Sequence, residues 1–334
     1  MSRRAWVWLG LVALFALALF LGLLVGAVPL SPAQVLAGLI NPESEPVVFA
    51  IRLPRVLGAA LVGAALGVSG AAYQGLFKNP LADPYLMGTA SGAAFGVAVA
   101  LMLLGGLSPA YAQWIGKAYS AVVPAFAFLG ALFAVLVAVV LAGGVGRTKD
   151  LILAGVVVGS ILTGLTTYLM LKDADRVRAV FAYTLGNLAF IGWPEVARLA
   201  LYLALTLPFL LLLARALNAL QLGEAVAATL GLPLPLVKGV LIAAATLATA
   251  GAVAEAGIIG FVGLVVPHAL RRLGGGDYRF LLPASALGGA VLLVFADLLA
   301  RVLARPAELP VGVVTTLLGG PFFLYLLWRM RASG

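Results

Sequence analysis

The sequence contains no cysteine, and only one of its 334 residues is histidine. The lack of cysteine excludes disulfides, thiolate metal sites and cysteine nucleophiles. A single histidine also excludes a metal site built from several histidines of one chain. Charge is scarce as well, because Asp, Glu, Lys and Arg make up 10% of the residues, against about 25% in soluble domains. So few charges cannot build an ordinary water-exposed surface, so lipid must cover most of the molecule.

The sequence is instead rich in long apolar runs. Hydrophobic residues make up 63% of the chain, and the mean hydropathy is +1.15. A helix needs about 20 apolar residues to cross a bilayer. Runs of this kind predict an all-α membrane protein with ten transmembrane helices in a single domain of residues 1–334. The predicted spans are 5–28, 56–76, 86–105, 119–143, 151–171, 196–216, 239–255, 257–270, 281–300 and 311–328.

Two features of this pattern bear on topology. The first apolar run is longer than the roughly 7–15 residues of a signal peptide core, so we expect it to stay as a helix. An even number of spans places both termini on one side. With that side in the cytoplasm, the inner connections carry more Lys and Arg than the outer ones, as the positive-inside rule expects. The seventh and eighth spans are short and could be one long segment broken near Glu255.

The net charge of +9 does not indicate a nucleic-acid partner, because the basic residues lie in short connections without interleaved aromatics. No phosphate-binding G-x-x-x-x-G-K-[ST] motif is present, and no chain of charged residues crosses the spans like a proton relay. If the protein is a pump, another polypeptide must therefore supply the energy. An ion-coupled secondary transporter and a non-transporting membrane scaffold or receptor remain alternatives.

Three connections do not have the pattern of plain transmembrane helix. Residues 78–84 hold two prolines with Asn and Asp, which indicates a rigid turn, either a simple tight loop or an element beside a pathway. Residues 223–233 predict a short helix that ends at Gly and Pro, and that lies at the membrane interface or docks a soluble partner. Residues 172–198 mix charges with aromatics and predict a short re-entrant or surface helix.

Two acidic residues fall inside predicted spans, where ionisable groups are costly and mark functional sites by default. Asp297 and Arg301 are four residues apart on one helix, which favours a local ion pair. Glu255 lies near a span end, within reach of water or a neighbouring arginine.

Several longer motifs together resemble one known family. The sequence Arg52-Leu53-Pro54-Arg55 precedes GVSGAAYQ at 67–74 and NPLADP at 79–84. Further along the chain follow GTASGA at 88–93, GFVGLVVPH at 260–268, ELPVG at 308–312 and GGPFF at 319–323. In this order and spacing they resemble the FecCD permeases, the membrane subunits of type II ABC importers for ferric siderophores, haem and cobalamin. The resemblance runs from about Val47 to Trp328.

This resemblance implies a cobalamin-permease-like fold, in a homodimer with ten helices per subunit and a transport path on the dimer axis. It implies a transporter subunit of a bacterial or archaeal inner membrane, without cofactor or enzymatic activity of its own. The implied partners are two ATPase subunits in the cytoplasm and a substrate-binding protein outside. An iron chelate, either a ferric siderophore or haem, is the expected cargo, and cobalamin is the alternative.

The resemblance also assigns three groups of residues. The ATPase coupling helix contains Gly223, Glu224, Ala227, Leu230 and Gly231. The cytoplasmic gate contains Asn79, Leu81, Thr148 and Lys149. The arginines expected to pair with glutamates of the binding protein are Arg52, Arg55 and Arg301. Glu255 departs from the small or aliphatic residue expected at its position.

Overall fold

A computed structural model describes residues 2–26, 30–104, 109–171 and 174–332, and within these ranges the regular structure is helical. A short π-helical segment, Val47–Arg52, leads directly into the third helix. The helices are α1 (Arg3–Leu24), α2 (Pro32–Ile40), α3 (Leu53–Leu76), α4 (Thr89–Leu104), α5 (Pro109–Leu141), α6 (Thr148–Met170), α7 (Ala174–Thr184), α8 (Trp193–Leu212), α9 (Ala214–Gln221), α10 (Glu224–Thr229), α11 (Leu234–Ala256), α12 (Val262–Gly274), α13 (Tyr278–Val302) and α14 (Val311–Ala332).

Each predicted span overlaps a helix, and the sixth overlaps both α8 and α9, so the all-α membrane fold is confirmed. Seven helical stretches of the described residues are long and apolar enough to cross a membrane. Two shorter apolar helices, α4 and the stretch Val311–Leu324 of α14, correspond to the third and tenth predicted spans. The remaining span corresponds to α12, which has only 13 residues. At 1.5 Å per residue it reaches about 20 Å, less than the roughly 30 Å of a hydrocarbon core.

The centre of the bundle is α3, which is buried along almost its whole length. It packs on α13 through glycines. A side chain at Gly63 would meet the backbone carbonyl of Gly289, and one at Gly67 would meet that of Ser285. Close approach of this kind between small residues is how helices associate in lipid, where no hydrophobic force drives them together.

The seventh and eighth predicted spans are separate helices, because the chain leaves helical geometry between α11 and α12. Gly257 has φ +72°, and Phe261 adopts a left-handed conformation with φ +69°. The irregular backbone is not left unpaired. The Tyr85 hydroxyl donates to the Ile259 carbonyl at 2.9 Å and accepts from the Ile259 N–H at 3.2 Å. Ile258 N–H also donates to the Tyr183 carbonyl at 3.3 Å. Irregular backbone is tolerated at membrane depth only when protein satisfies it in this way.

The bundle has two ends, which we name by the residues they carry. The α10 face is the end that carries α10, and the Arg55 face is the end where Arg55 pairs with Asp297 and Glu308. The N-terminal end of α1 is at the α10 face, where Arg4 donates to the Gly274 carbonyl at 3.0 Å and pairs with Asp277 at 3.3 Å. Helix α14 begins near the Arg55 face and passes α12, where Phe322 lies edge-on to His268. It therefore ends near the α10 face, on the same side as the start of α1. Helix α7 is the short helix predicted in the third connection.

Candidate functional site

Helix α10 is held between two glycines that adopt conformations unfavourable for other residues. Gly223 has φ +117° and Gly231 has φ +80°. At both positions added side-chain atoms would meet open space, so backbone conformation and not crowding requires glycine. Pro233, two residues after Gly231, ends this segment and lies just before α11. The short helix predicted from the sequence is therefore present, and its two ends are sharply defined.

One side of the segment around α10 presents a row of exposed apolar side chains. Leu222, Val226 and Leu230 follow one another at intervals of four residues, and their exposed fractions are 68%, 43% and 63%. On another side of the helix, Ala227 is fully buried. Large apolar groups that project from a polar end of the molecule are typical of a surface that another protein covers.

Glu224, the first residue of α10, makes an ion pair with Lys238, a residue in the interior of the bundle. Its Oε1 atom lies 2.9 Å from Nζ of Lys238, whose side chain is 2% exposed. The same Nζ donates to the carbonyl of Gly146 at 3.1 Å. The sequence analysis did not single out Lys238. No local spacing reveals this ion pair, because Lys238 lies on the next helix.

The four residues predicted to form a gate all lie at the α10 face, in two separate groups. Asn79 and Leu81 belong to one turn, in which the Asn79 side chain accepts from the Leu81 N–H at 2.9 Å. Thr148 and Lys149 begin α6. Among the described residues, no hydrogen bond or ion pair links the two groups. The predicted turn is thus confirmed as a compact structure, and the gate itself remains a prediction.

An open cavity of about 560 Å³ lies between residues 83–88, the start of α4 and the side of α6 that carries Gly155, Ser160 and Thr163. Its polar lining comes from hydroxyl groups and one carboxylate. Ser160 and Thr163 donate to carbonyls one turn earlier in α6, at 2.9 and 2.8 Å. Asp83 accepts from the Tyr85 N–H at 2.7 Å. Burial raises the pKa of the Asp83 carboxyl to about 6, against the opposing effect of this backbone hydrogen bond.

The arginines predicted to dock a binding protein are buried at the Arg55 face. Arg52, Arg55 and Arg301 are 5%, 8% and 3% exposed. Arg55 contacts both oxygens of Asp297, with the shortest distance 2.8 Å, and also pairs with Glu308 at 2.8 Å. Arg301 lies 3.0 Å from the second oxygen of Asp297. The predicted Asp297–Arg301 pair is therefore part of a larger network, in which the main partner of Asp297 comes from α3.

Two of these arginines, Arg52 and Arg301, also hold the end of α1. Arg52 donates to the carbonyls of Leu23 and Leu24 at 2.7 and 2.9 Å. Arg301 donates to the carbonyls of Gly22 and Val25 at 3.0 and 3.1 Å. These carbonyls have no partner within α1, and cations favour the negative end of a helix dipole. Arg52 and Arg301 thus have a structural role at the end of α1 that the sequence did not indicate.

Glu255 lies within reach of an arginine, as the sequence analysis expected, and that arginine is Arg198. The Glu255 side chain is fully buried and lies 2.7 Å from Nε of Arg198. Arg198 also pairs with Glu195 at 2.8 Å, three residues earlier on α8. An acidic residue is unexpected at position 255, and the charge of Glu255 is neutralised by Arg198 of α8. Among the described residues, no group of three or more His, Cys, Asp and Glu side chains is arranged to hold a metal ion.

Comparison with known proteins shows one consistent relationship. The model of the FecCD transport family matches residues 14–329. The hemin transport system permease protein HmuU of Yersinia pestis is 42% identical over 284 residues, covering 84% of this chain and 83% of the relative. The vitamin B12 import system permease protein BtuC of Klebsiella pneumoniae is 38% identical over 335 residues, covering 100% and 97%. A solved metal-chelate type ABC transporter in an inward-facing conformation superposes with a TM-score of 0.84 at 30% identity, covering 96% of this chain and 98% of that chain.

Proposed function

The chain belongs to the FecCD transport family, and on this premise we propose that it carries an iron chelate, a ferric siderophore or haem, across the inner membrane as the permease subunit of an ABC importer. The observation that carries the role as an ABC permease subunit is the exposed apolar row of Leu222, Val226 and Leu230 in the segment around α10, a helix too short to span a membrane. The permease has no phosphate-binding motif of its own, so a separate ATPase must transmit its work through such a contact. Cobalamin is the alternative cargo, since a vitamin B12 permease is among the relatives.

The proposed assembly is a homodimer, with each chain forming one permease domain of residues 1–334. Two ATPase subunits bind the α10 face, which is the cytoplasmic side in this proposal, and both termini lie there. This orientation agrees with the excess of basic residues predicted for the inner connections. The cavity beside α6 faces the dimer axis and contributes to the transport path. At its inner end the turn of Asn79 and Leu81 and the start of α6 at Thr148 and Lys149 form the gate.

Transport by the reconstituted complex tests the proposed function. The permease, its ATPase and its binding protein are placed in vesicles and supplied with a ferric siderophore, haem or cyanocobalamin in separate assays. We expect uptake of an iron chelate that requires ATP. Uptake without the ATPase would instead identify a secondary transporter, and no uptake of any chelate would favour a scaffold or receptor. The affinity of the binding protein for each compound identifies the cargo independently.

Docking of the binding protein at the Arg55 face is the second part of the proposal. Opposite charges on two partners steer their encounter and fix the orientation of the complex. Because Arg52, Arg55 and Arg301 also make contacts inside the permease, charge reversal would disturb the fold and the docking surface together. A test must therefore remove charge while keeping hydrogen-bond donors.

We expect Arg52→Gln to weaken binding of the binding protein about fivefold, which corresponds to about 1 kcal/mol. The amide can still donate to the α1 carbonyls, so the unfolding temperature should change little. Titration of the binding protein onto nanodisc-embedded permease at low and physiological salt measures the effect. If the affinity and its salt dependence both equal those of the unchanged permease, Arg52 has no docking role.

A further inference from the structure

We propose that Lys238 is a positioning residue that transmits movement of α10 to the start of α6. The inference rests on the proposed function, because it assumes that an ATPase moves α10 and that the start of α6 belongs to the gate. It concerns a residue outside the coupling helix, the gate and the docking surface described above.

Three acceptors from two separate parts of the chain surround the Lys238 ammonium group. Glu224 Oε1 is 2.9 Å from Nζ, the Gly146 carbonyl is 3.1 Å away, and the Thr148 hydroxyl is 3.5 Å away. Glu224 is the first residue of α10, whereas Gly146 and Thr148 lie at the junction of α5 and α6. One side chain from α11 therefore joins the proposed coupling helix to the proposed gate.

The surroundings of Lys238 make this contact more than a surface ion pair. The side chain is 2% exposed, and a buried ammonium is costly unless it is paired and hydrogen-bonded. Lys238 also lies near the N-terminus of α11 and touches the N-terminus of α6, and both helix dipoles disfavour a cation there. Glu224 supplies the compensating charge. A shift of Glu224 therefore changes the charge compensation of the ammonium. The hydrogen bonds from the ammonium to its acceptors at the start of α6 change with it.

The elements around α10 determine which part can move. Helix α9 is anchored, because Asn218 donates to Asp277 at 2.7 Å and Gln221 donates to the Gly75 carbonyl at 2.9 Å. Helix α10 itself lies between Gly223 and Gly231, whose surroundings leave open space. Glu224 is the charged residue of this helix. When a partner pushes on α10, α9 therefore stays in place. The movement reaches the start of α6 through the ion pair of Glu224 with Lys238.

The test is the number of chelate molecules transported per ATP hydrolysed by the complete reconstituted complex. We expect Lys238→Met to lower this ratio about fivefold or more while ATP hydrolysis continues, and Glu224→Gln to lower it similarly. The double variant should be no worse than either single variant, since residues that act through one contact are not additive. Lys238→Arg keeps the charge and donors, and we expect it to restore most of the ratio.

Arg215→Met is the matched control. Arg215 is an exposed basic residue of α9 at the same face of the molecule, and its replacement should leave the ratio unchanged. The unfolding temperature and the affinity for the ATPase are measured for every variant. If Lys238→Met does not fold, Glu224→Gln carries the test, because its side chain is 46% exposed and the substitution preserves its shape.

Two results would overturn the inference. One is a normal transport ratio in Lys238→Met or in Glu224→Gln, and the other is a double variant whose defect is the sum of the single defects. Both are distinct from a failure of the proposed function, in which the unchanged permease itself shows no ATP-dependent transport.

Discussion

Replacing Leu230 with aspartate is expected to abolish ATP-driven transport while the permease remains folded. Leu230 is 63% exposed at the end of the apolar row around α10, so its loss removes little packing within the chain. Covering a leucine in an interface contributes about 2 kcal/mol, which corresponds to roughly thirtyfold in affinity. A carboxylate at this position adds the cost of removing a charge from water.

Leu273→Asp is the control for this experiment, because Leu273 is a comparably exposed leucine, 51% accessible, near the end of α12 at the same face. ATPase binding to nanodisc-embedded permease and uptake by reconstituted vesicles are measured for both variants. We expect the Leu273 variant to bind and transport normally. If Leu230→Asp binds the ATPase as tightly as the unchanged chain, the docking surface lies elsewhere than α10.

Removing the Asp297 side chain is expected to be the most destabilising single change at the Arg55 face. Asp297 is 1% exposed and pairs with both Arg55 and Arg301. Breaking a buried ion pair by deleting one partner typically costs about 3–5 kcal/mol, because the other charge stays buried without compensation. We therefore expect Asp297→Ala to lower the free energy of unfolding by about this amount, measured by denaturant titration in detergent micelles.

Asp150→Ala provides the comparison for an exposed aspartate. The Asp150 side chain is 50% exposed and lies 3.8 Å from Arg147, and pairs of this kind contribute about 0–1 kcal/mol. Asp297→Asn should lie between the two alanine variants, because an amide oxygen still accepts from Arg55. Equal unfolding free energies for the two alanine variants would mean that the buried network does not stabilise the bundle.

The ten spans were predictable because a bilayer requires long apolar runs, and that requirement acts on each segment separately. Short helices are subject to no such requirement. Helix α2 was not predicted, although Ser31 and Gln34 form a capping box at its start and Ser followed three residues later by Gln is a readable signal. The sixth span was predicted to run to residue 216, but α8 ends at Leu212 and α9 begins at Ala214.

The sites were predictable only where their residues are neighbours along the chain. The glycines around α10 and the Asp297–Arg301 pair follow from local spacing. The partner of Asp297 on α3, Arg55, is 242 positions away, and the partner of Glu255, Arg198, is 57 positions away. These contacts depend on which helices pack together, and the pattern of a single sequence does not contain that information. For the same reason the sequence did not indicate that two of the predicted docking arginines, Arg52 and Arg301, hold the end of α1.

The capping of α1 by arginines has a consequence for biosynthesis. Arg301 holds the carbonyls of Gly22 and Val25 at the end of α1, yet it lies 279 positions after Gly22. At ordinary translation rates this residue follows after roughly 15–55 seconds. Arg52 can hold the Leu23 and Leu24 carbonyls much sooner. Until Arg301 arrives, the Gly22 and Val25 carbonyls need lipid headgroups or water as partners. The last third of the chain, which contains α13, therefore completes the capping of α1.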